Sequence, residues 1–253
     1  MKPAIFVFLV LFILIHSDSN LHSRIPQGEG PRIIRFSGFD WIVARSGNRM
    51  MPPGPNHFSG SAQNVWVDPS GRLHLKITRY NGRWESAGVI LRGAVSYGRY
   101  AFRVSTDVDK LNEHVVAGLF LYRDDRNEAD IEFSRWGDRA AVAGQYVIQP
   151  WERDGNRHRF SIENIGERST HLIDWQPESV TFSSYRGHGI TPEPQDMVSE
   201  WTYRGEDIPA GNRVKLMINL WLYQGTPPSD GQDAELVIER ISCRPSGPGK
   251  RYW

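Results

Sequence analysis

The chain is poor in several features that mark other classes of protein. It has one cysteine, Cys243, among 253 residues. A single thiol excludes an internal disulfide framework and any cysteine-rich zinc site. Its eight histidines are not closely paired, so no metal-ligand spacing is visible. Charge of one sign is missing too: 30 Lys and Arg stand against 29 Asp and Glu, a net charge of +1. That balance argues against a nucleic-acid binder that works through bulk charge. No internal repeat, low-complexity tract or shift of composition divides residues 33–243, and no convincing amphipathic helix exceeds about two turns. The longest apolar run, Ala4 to Ile15, has twelve residues. It is too short for a comfortable membrane span.

That run follows Lys2 and precedes the polar stretch His16-Ser17-Asp18-Ser19-Asn20. Charged, apolar and polar segments in this order read as an export signal over residues 1–19. The expected location is therefore outside the cytoplasm, secreted or periplasmic. No A-x-A cleavage site is visible, so an uncleaved anchor stays open as the alternative. Residues 20–32 read as a leader or linker, 33–243 as one domain, and 244–253 as a C-terminal tail.

What is present is a succession of short alternating segments. Arg72-Leu73-His74-Leu75-Lys76-Ile77-Thr78 places its apolar residues on one face, and Tyr100 to Val104 does the same. Val115 to Tyr122 is nearly all apolar and reads as a central strand. Further strands are expected at 145–149, 171–175, 179–183, 214–221 and 235–241, with turn signals such as Asn81-Gly82 between them. Short strands at near-regular spacing predict an all-β sandwich or jelly roll.

The segment that carries chemistry is Asn127-Glu128-Ala129-Asp130-Ile131-Glu132-Phe133. In a strand, period two sends Glu128, Asp130 and Glu132 to one face and Ala129, Ile131 and Phe133 to the other. The apolar set would plug a sandwich core, and the acids would form a row on the outer face. Adjacent carboxylates repel and push protons onto one another. An enzyme that needs one ionised and one protonated carboxyl benefits from that. Glu128 and Glu132 are four residues apart, about 13 Å between Cα atoms in an extended strand. Side chains leaning inward bring the two carboxyls to roughly 5–6 Å, the separation used in retaining glycoside hydrolysis. A solvated strand face carrying acids is the plainer alternative. Nine Trp and nine Tyr suit either a core or the stacking of sugar faces.

Several further segments, in the same order, resemble glycoside hydrolase family 16, the β-jelly-roll endoglycanases. They are Ser96-Tyr97-Gly98-Arg99-Tyr100-Ala101-Phe102-Arg103, the apolar strand before the acids, His171-Leu172-Ile173-Asp174-Trp175, and Leu216-Met217-Ile218-Asn219-Leu220-Trp221. The resemblance spans roughly residues 36–241. It implies a concanavalin A-like jelly roll of two stacked antiparallel sheets with a concave cleft on one face. It implies Glu128 as nucleophile, Glu132 as acid/base and Asp130 as the residue that hydrogen-bonds the nucleophile. The spacing E-x-D-x-E is similar to the unbulged branch of that family.

By the same resemblance Arg92, Asn219 and Trp221 line the cleft. Met217, Asn219 and Trp221 share one face of their strand, consistent with that reading. The implied substrate is a β-glucan-type polysaccharide, with no cofactor, no metal, no nucleic acid and a monomeric protein. Arg126 stands where lichenases carry a Trp, and a hydrophobic residue near Val237 stands where some members carry an Asp for structural calcium. Outside the resemblance, Trp136 reads as a sugar platform or a plug under a loop, and Trp151 likewise. Gln145 and Gln149 share parity and can both face the cleft. Trp66 and Trp175 are expected in the core, and His171 as a hydrogen-bonded strand histidine.

Overall fold

The computed structural model describes residues 30–189 and 191–246. The expected export signal and most of the leader fall outside the described residues. Sixteen strands follow in chain order: β1 (Ile33–Phe36), β2 (Phe39–Val43), β3 (Val65–Val67), β4 (Leu73–Tyr80), β5 (Arg83–Glu85), β6 (Ala87–Leu91), β7 (Gly98–Val104), β8 (Val115–Asp124), β9 (Asn127–Phe133), β10 (Gly144–Ile148), β11 (Arg157–Phe160), β12 (Ser169–Gln176), β13 (Ser179–Arg186), β14 (Met197–Tyr203), β15 (Lys215–Leu222) and β16 (Ala234–Pro245). The helical content of the described residues is three short 3-10 turns.

The strands form two antiparallel sheets of eight. One runs β1-β2-β6-β15-β8-β9-β10-β11; the other runs β14-β13-β12-β7-β16-β4-β3, with β5 added beside β4. This is the jelly-roll sandwich that the alternating pattern predicts. The last strand continues to Pro245, which pairs Gly98, so the sheet extends past the boundary expected at residue 243.

Alternation explains the core. Leu73, Leu75 and Ile77 of β4, Phe102 and Val104 of β7, and Leu216, Ile218 and Leu220 of β15 are all buried between the sheets. Each such side chain contributes roughly 1.5–3 kcal/mol relative to exposure. Two tight hairpins set register at the edges. Ser37-Gly38 joins β1 to β2 and Asn81-Gly82 joins β4 to β5, and all four residues have positive φ. Such two-residue loops match the right-handed twist of the paired strands.

Trp175 sits in the core, with its indole N–H donating to the Pro209 carbonyl at 2.9 Å. His171 is buried there as well, hydrogen-bonded to the hydroxyls of Ser169 and Ser184, and burial lowers its pKa to about 3. Trp66 departs from expectation. It lies directly opposite His74 in the β3–β4 pair, and opposite residues share a face. Its ring therefore stacks on His74 on the outside of the sheet, with centroids 4.6 Å apart.

Candidate active site

Strand β9 is regular through the acids. Its register against β10 runs without interruption from Ala129↔Ile148 to Phe133↔Gly144. Period two therefore holds, and Ala129, Ile131 and Phe133 are completely buried between the sheets. Glu128, Asp130 and Glu132 emerge on the outer face of the first sheet. They line an open hollow on that face.

Strand register arranges the hollow in rows. One row crosses from Asn219 on β15 through Gly118 on β8, Glu132 on β9 and Gln145 on β10 to Arg159 on β11. The next crosses Met217, Phe120, Asp130, Val147 and Arg157. A third carries Lys215, Tyr122 and Glu128. Gly118 leaves room for Asn219 in the first row. A Cβ there would stand 2.5 Å from the Asn219 amide oxygen, which leans across it. The loop after β9 brings in Trp136 and the loop after β10 brings in Trp151; Trp221, Tyr223 and Pro53 close the other side. Trp136 has φ +46. A bulky residue in the left-handed region is an outlier that its surroundings must hold in place. The Ser134 hydroxyl accepts the Trp136 N–H at 2.9 Å and Gly137 follows, also with positive φ.

Each carboxyl has its own environment. Asp130 and Glu128 share a hydrogen bond, and Gln149 also bonds Asp130. The Gln145 amide donates to Glu132 at 2.7 Å and accepts from Arg159 at 3.3 Å. Burial is the largest influence on all three, and it disfavours their charged forms. It pushes Glu128 up to about 8; the hydrogen bond from Asp130 opposes this and the charges of Glu132, Asp125 and Asp124 add to it. Asp130 is pushed far above the usual carboxylate range by burial and by the charges of Glu128 and Glu132. Glu132 is also raised by burial, but the Gln145 hydrogen bond and the Arg159 charge pull it back. Asp130 therefore keeps its proton longest and donates it to Glu128, which favours the Glu128 anion. Three polar atoms that face the hollow have no hydrogen-bond partner among the described residues: Glu128 Oε2, Asp130 Oδ1 and Asn219 Oδ1. Buried polar atoms are seldom left in that state, and a site that meets a ligand is one cause; His57 Nδ1, away from the hollow, is orphaned as well.

The structure brings together eight of the nine residues expected at the site: Glu128, Asp130, Glu132, Trp136, Gln145, Gln149, Asn219 and Trp221. Arg92 is not among them. It lies just past the end of β6, a strand that is three strand spacings from β9, roughly 14 Å, and its guanidinium turns to Asp40 at 3.7 Å beside a separate hollow. Trp221 faces the predicted side yet is only 5% exposed, because Ala44, Phe58 and Val116 pack around its ring. It is a wall of the hollow rather than an open platform. Trp136 and Trp151 present more surface. Sequence reading missed Arg157 and Arg159. Their signal was present in the alternation of Arg157-His158-Arg159-Phe160, which was too short to stand out.

No protein-family model and no curated protein sequence matches the chain. Solved structures do. A β-1,3-glucanase from Mycobacterium marinum superposes with a TM-score of 0.60 at 17% identity, over 79% of this chain and 90% of its own. The β-glucanase of Bacillus licheniformis superposes with a TM-score of 0.57 at 20% identity, over 84% and 95%. The fold is that of the family 16 β-glucanases. The same fold also includes a protein of Mycobacterium tuberculosis described as an immunostimulatory antigen and pseudo β-1,3-glucanase, with a TM-score of 0.56 at 18% identity over 79% and 89%. Fold likeness at this level says nothing about turnover, so the chemistry has to be argued from the carboxyl row itself.

Proposed function

We propose that the protein is an exported, monomeric, retaining glycoside hydrolase that cuts internal bonds of a β-glucan-type polysaccharide. The observation that carries this reading is the row of three carboxyls on one face of β9, opening into a hollow edged by Trp136 and Trp151. In the first step Glu128 attacks the anomeric carbon while Glu132 protonates the departing oxygen. Glu132, now ionised, removes a proton from water, and that water releases the sugar from Glu128. Asp130 holds a proton against Glu128 in the resting site and steadies its charge. Gln145 fixes the Glu132 carboxyl, and Arg159 fixes Gln145. No step calls on a cofactor.

A reducing-end assay on a panel of β-glucans tests the proposal. Glu128→Ala should abolish turnover and azide should restore part of it, because a small anion fits the space of the lost carboxylate. Wild-type turnover by Glu128→Ala would overturn it. Two rivals use the same hollow. A transglycosylase would pass the sugar to an added acceptor in preference to water. A non-catalytic binding protein, which the pseudo-glucanase of the same fold makes worth testing, would bind the chain and release no reducing ends.

A further inference from the structure

Strand β11 is the edge of the first sheet, next to β10. Its sequence alternates Arg157-His158-Arg159-Phe160. Phe160 packs in the core and His158 stacks beside Tyr146 and Trp201, on the side of β11 away from the hollow. The two arginines go the other way, onto the rim of the hollow. Arg159 lies two strands from Glu132 in its row, and Arg157 lies two strands from Asp130. At 4.7–4.9 Å per strand the backbone separation is roughly 10 Å, which places both guanidinium groups beside a sugar next to the cleaved bond.

Each arginine is held against a ring. The Arg159 guanidinium lies 4.4 Å from the centre of the Trp136 ring and that of Arg157 lies 5.0 Å from the Trp151 ring. Neither has a carboxylate within ion-pair distance among the described residues, although Arg153 nearby is paired to Asp207 at 2.7 Å. The N–H groups of Arg157 donate to no described acceptor, and those of Arg159 reach only Gln145. Two like charges on neighbouring same-face positions of an edge strand repel, and no carboxylate in direct contact offsets them among the described residues. A planar guanidinium with its donors unused and its face pinned on an indole suits bidentate binding of a carboxylate or a sulfate.

We infer that the sugar chain this hollow accepts is anionic, carrying carboxylate or sulfate groups that Arg157 and Arg159 bind beside the cleavage point. The inference rests on the reading of the hollow as the sugar-binding site. It also accounts for a difficulty of that site. The ionised carboxyl that the first step needs would repel a polyanion, and two cations on the rim offset that field where the substituents would lie.

The experiment measures binding, so that it does not depend on turnover. Affinity electrophoresis of the wild-type and Glu128→Gln proteins is run through gels holding a mixed-linkage β-glucan, the same glucan carboxylated at C6, the same glucan sulfated, a sulfated galactan and its desulfated form. The anionic chains should retard the protein at least tenfold more strongly than their neutral partners, and rising salt should weaken this. Whichever of the carboxylated and sulfated arms binds better identifies the substituent. Arg157→Ala and the Arg157→Ala/Arg159→Ala pair should lose most of that preference, read in each variant as the ratio of anionic to neutral retardation. Arg79→Ala/Arg240→Ala removes the same charge from exposed positions of the other sheet, and should leave the preference in place.

The inference is overturned if the anionic chains do not bind, if the rim variants keep the preference, if they lose neutral and anionic binding equally, or if the control pair matches them. Cleavage of neutral glucans with no effect of the rim variants would sink the inference and leave the glycosidase reading standing. Arginine-dependent binding with no cleavage of any chain would do the reverse.

Discussion

The two sheets of the sandwich handle charge in opposite ways on their outer faces. On the second sheet acids and bases meet. Arg99 pairs with Asp174 at 2.9 Å, Lys76 with Asp233 at 3.1 Å, and His74 sits between Glu235 and Asp68. On the first sheet, among the described residues, three acids stand in one row with no base in ion-pair contact, and of the two arginines on the rim only Arg159 reaches an acid, through Gln145 to Glu132. The uncompensated arrangement on the first sheet costs stability and the paired one on the second sheet does not. A protein keeps such an uncompensated arrangement where a ligand or a reaction supplies the missing partners. The contrast between faces locates the site more firmly than the size of the hollow does.

The sharpest way to break the comparison is to remove one acid from each face. Glu128→Ala and Glu132→Ala should each lower kcat by about a thousandfold or more with the fold retained, while Asp174→Ala on the second sheet should leave kcat unchanged. Comparable losses on both faces would remove the distinction between them.

Next in size is Trp221→Ala. The ring is enclosed by Ala44, Phe58 and Val116, so truncation should cost about 3–5 kcal/mol of stability. Trp136→Ala, at a more open ring, should instead weaken polysaccharide binding by about 1–3 kcal/mol and move the melting temperature little. Melting curves and KM measured together separate wall from platform, and the reverse pattern would reassign both rings.

A smaller effect concerns pH. Carboxyls whose folded pKa is raised favour the folded state while protonated. That contribution is fully present below the unfolded value near 4 and is lost as pH rises through the folded value, about 8 for Glu128. The neutral amide in Asp130→Asn removes one member of the coupled set. The variant should therefore melt roughly 2–4 °C higher than wild type at pH 8 and nearly equal to it at pH 4. Equal shifts at both pH values would show that the trio is not titrating in this window. The three carboxyls titrate as one coupled set, so activity should also fall on the alkaline side as the set loses the proton the acid step needs, and Asp130→Asn should move one limb of the bell. A flat profile from pH 4 to 9 would contradict the two-carboxyl mechanism.

Smallest of all, breaking the exposed Arg99–Asp174 pair should cost at most about 1 kcal/mol. A larger loss would mean that the second face stores more of the fold's stability than paired surface charges ordinarily do.

The carboxyl row was legible because it depends on one strand alone. Alternation needs only that residues 127–133 be extended, and Ala129, Ile131 and Phe133 supply the buried half that makes the register unique. The same local logic placed Met217, Asn219 and Trp221 on one face of β15 and Leu216, Ile218 and Leu220 on the other. It failed where a side chain's neighbours come from elsewhere in the chain. Arg92 was expected in the hollow, but Asp40 of β2 draws it to the next one. Trp221 has the predicted face, yet Phe58, from a loop more than 160 residues away, covers it. Arg157 and Arg159 passed unnoticed in a four-residue edge strand, whose importance lies in being the neighbour of β10.

The sequence by itself therefore determined the architecture and the acids: period-two alternation, turn residues and one row of like charges are local, and local sterics enforce them. Only the tertiary structure decided how each acid is protonated, which tryptophan is open, and which cations border the hollow. Those properties depend on burial and on Coulomb interactions between strands distant in the chain, and neither exists until the two sheets close on one another.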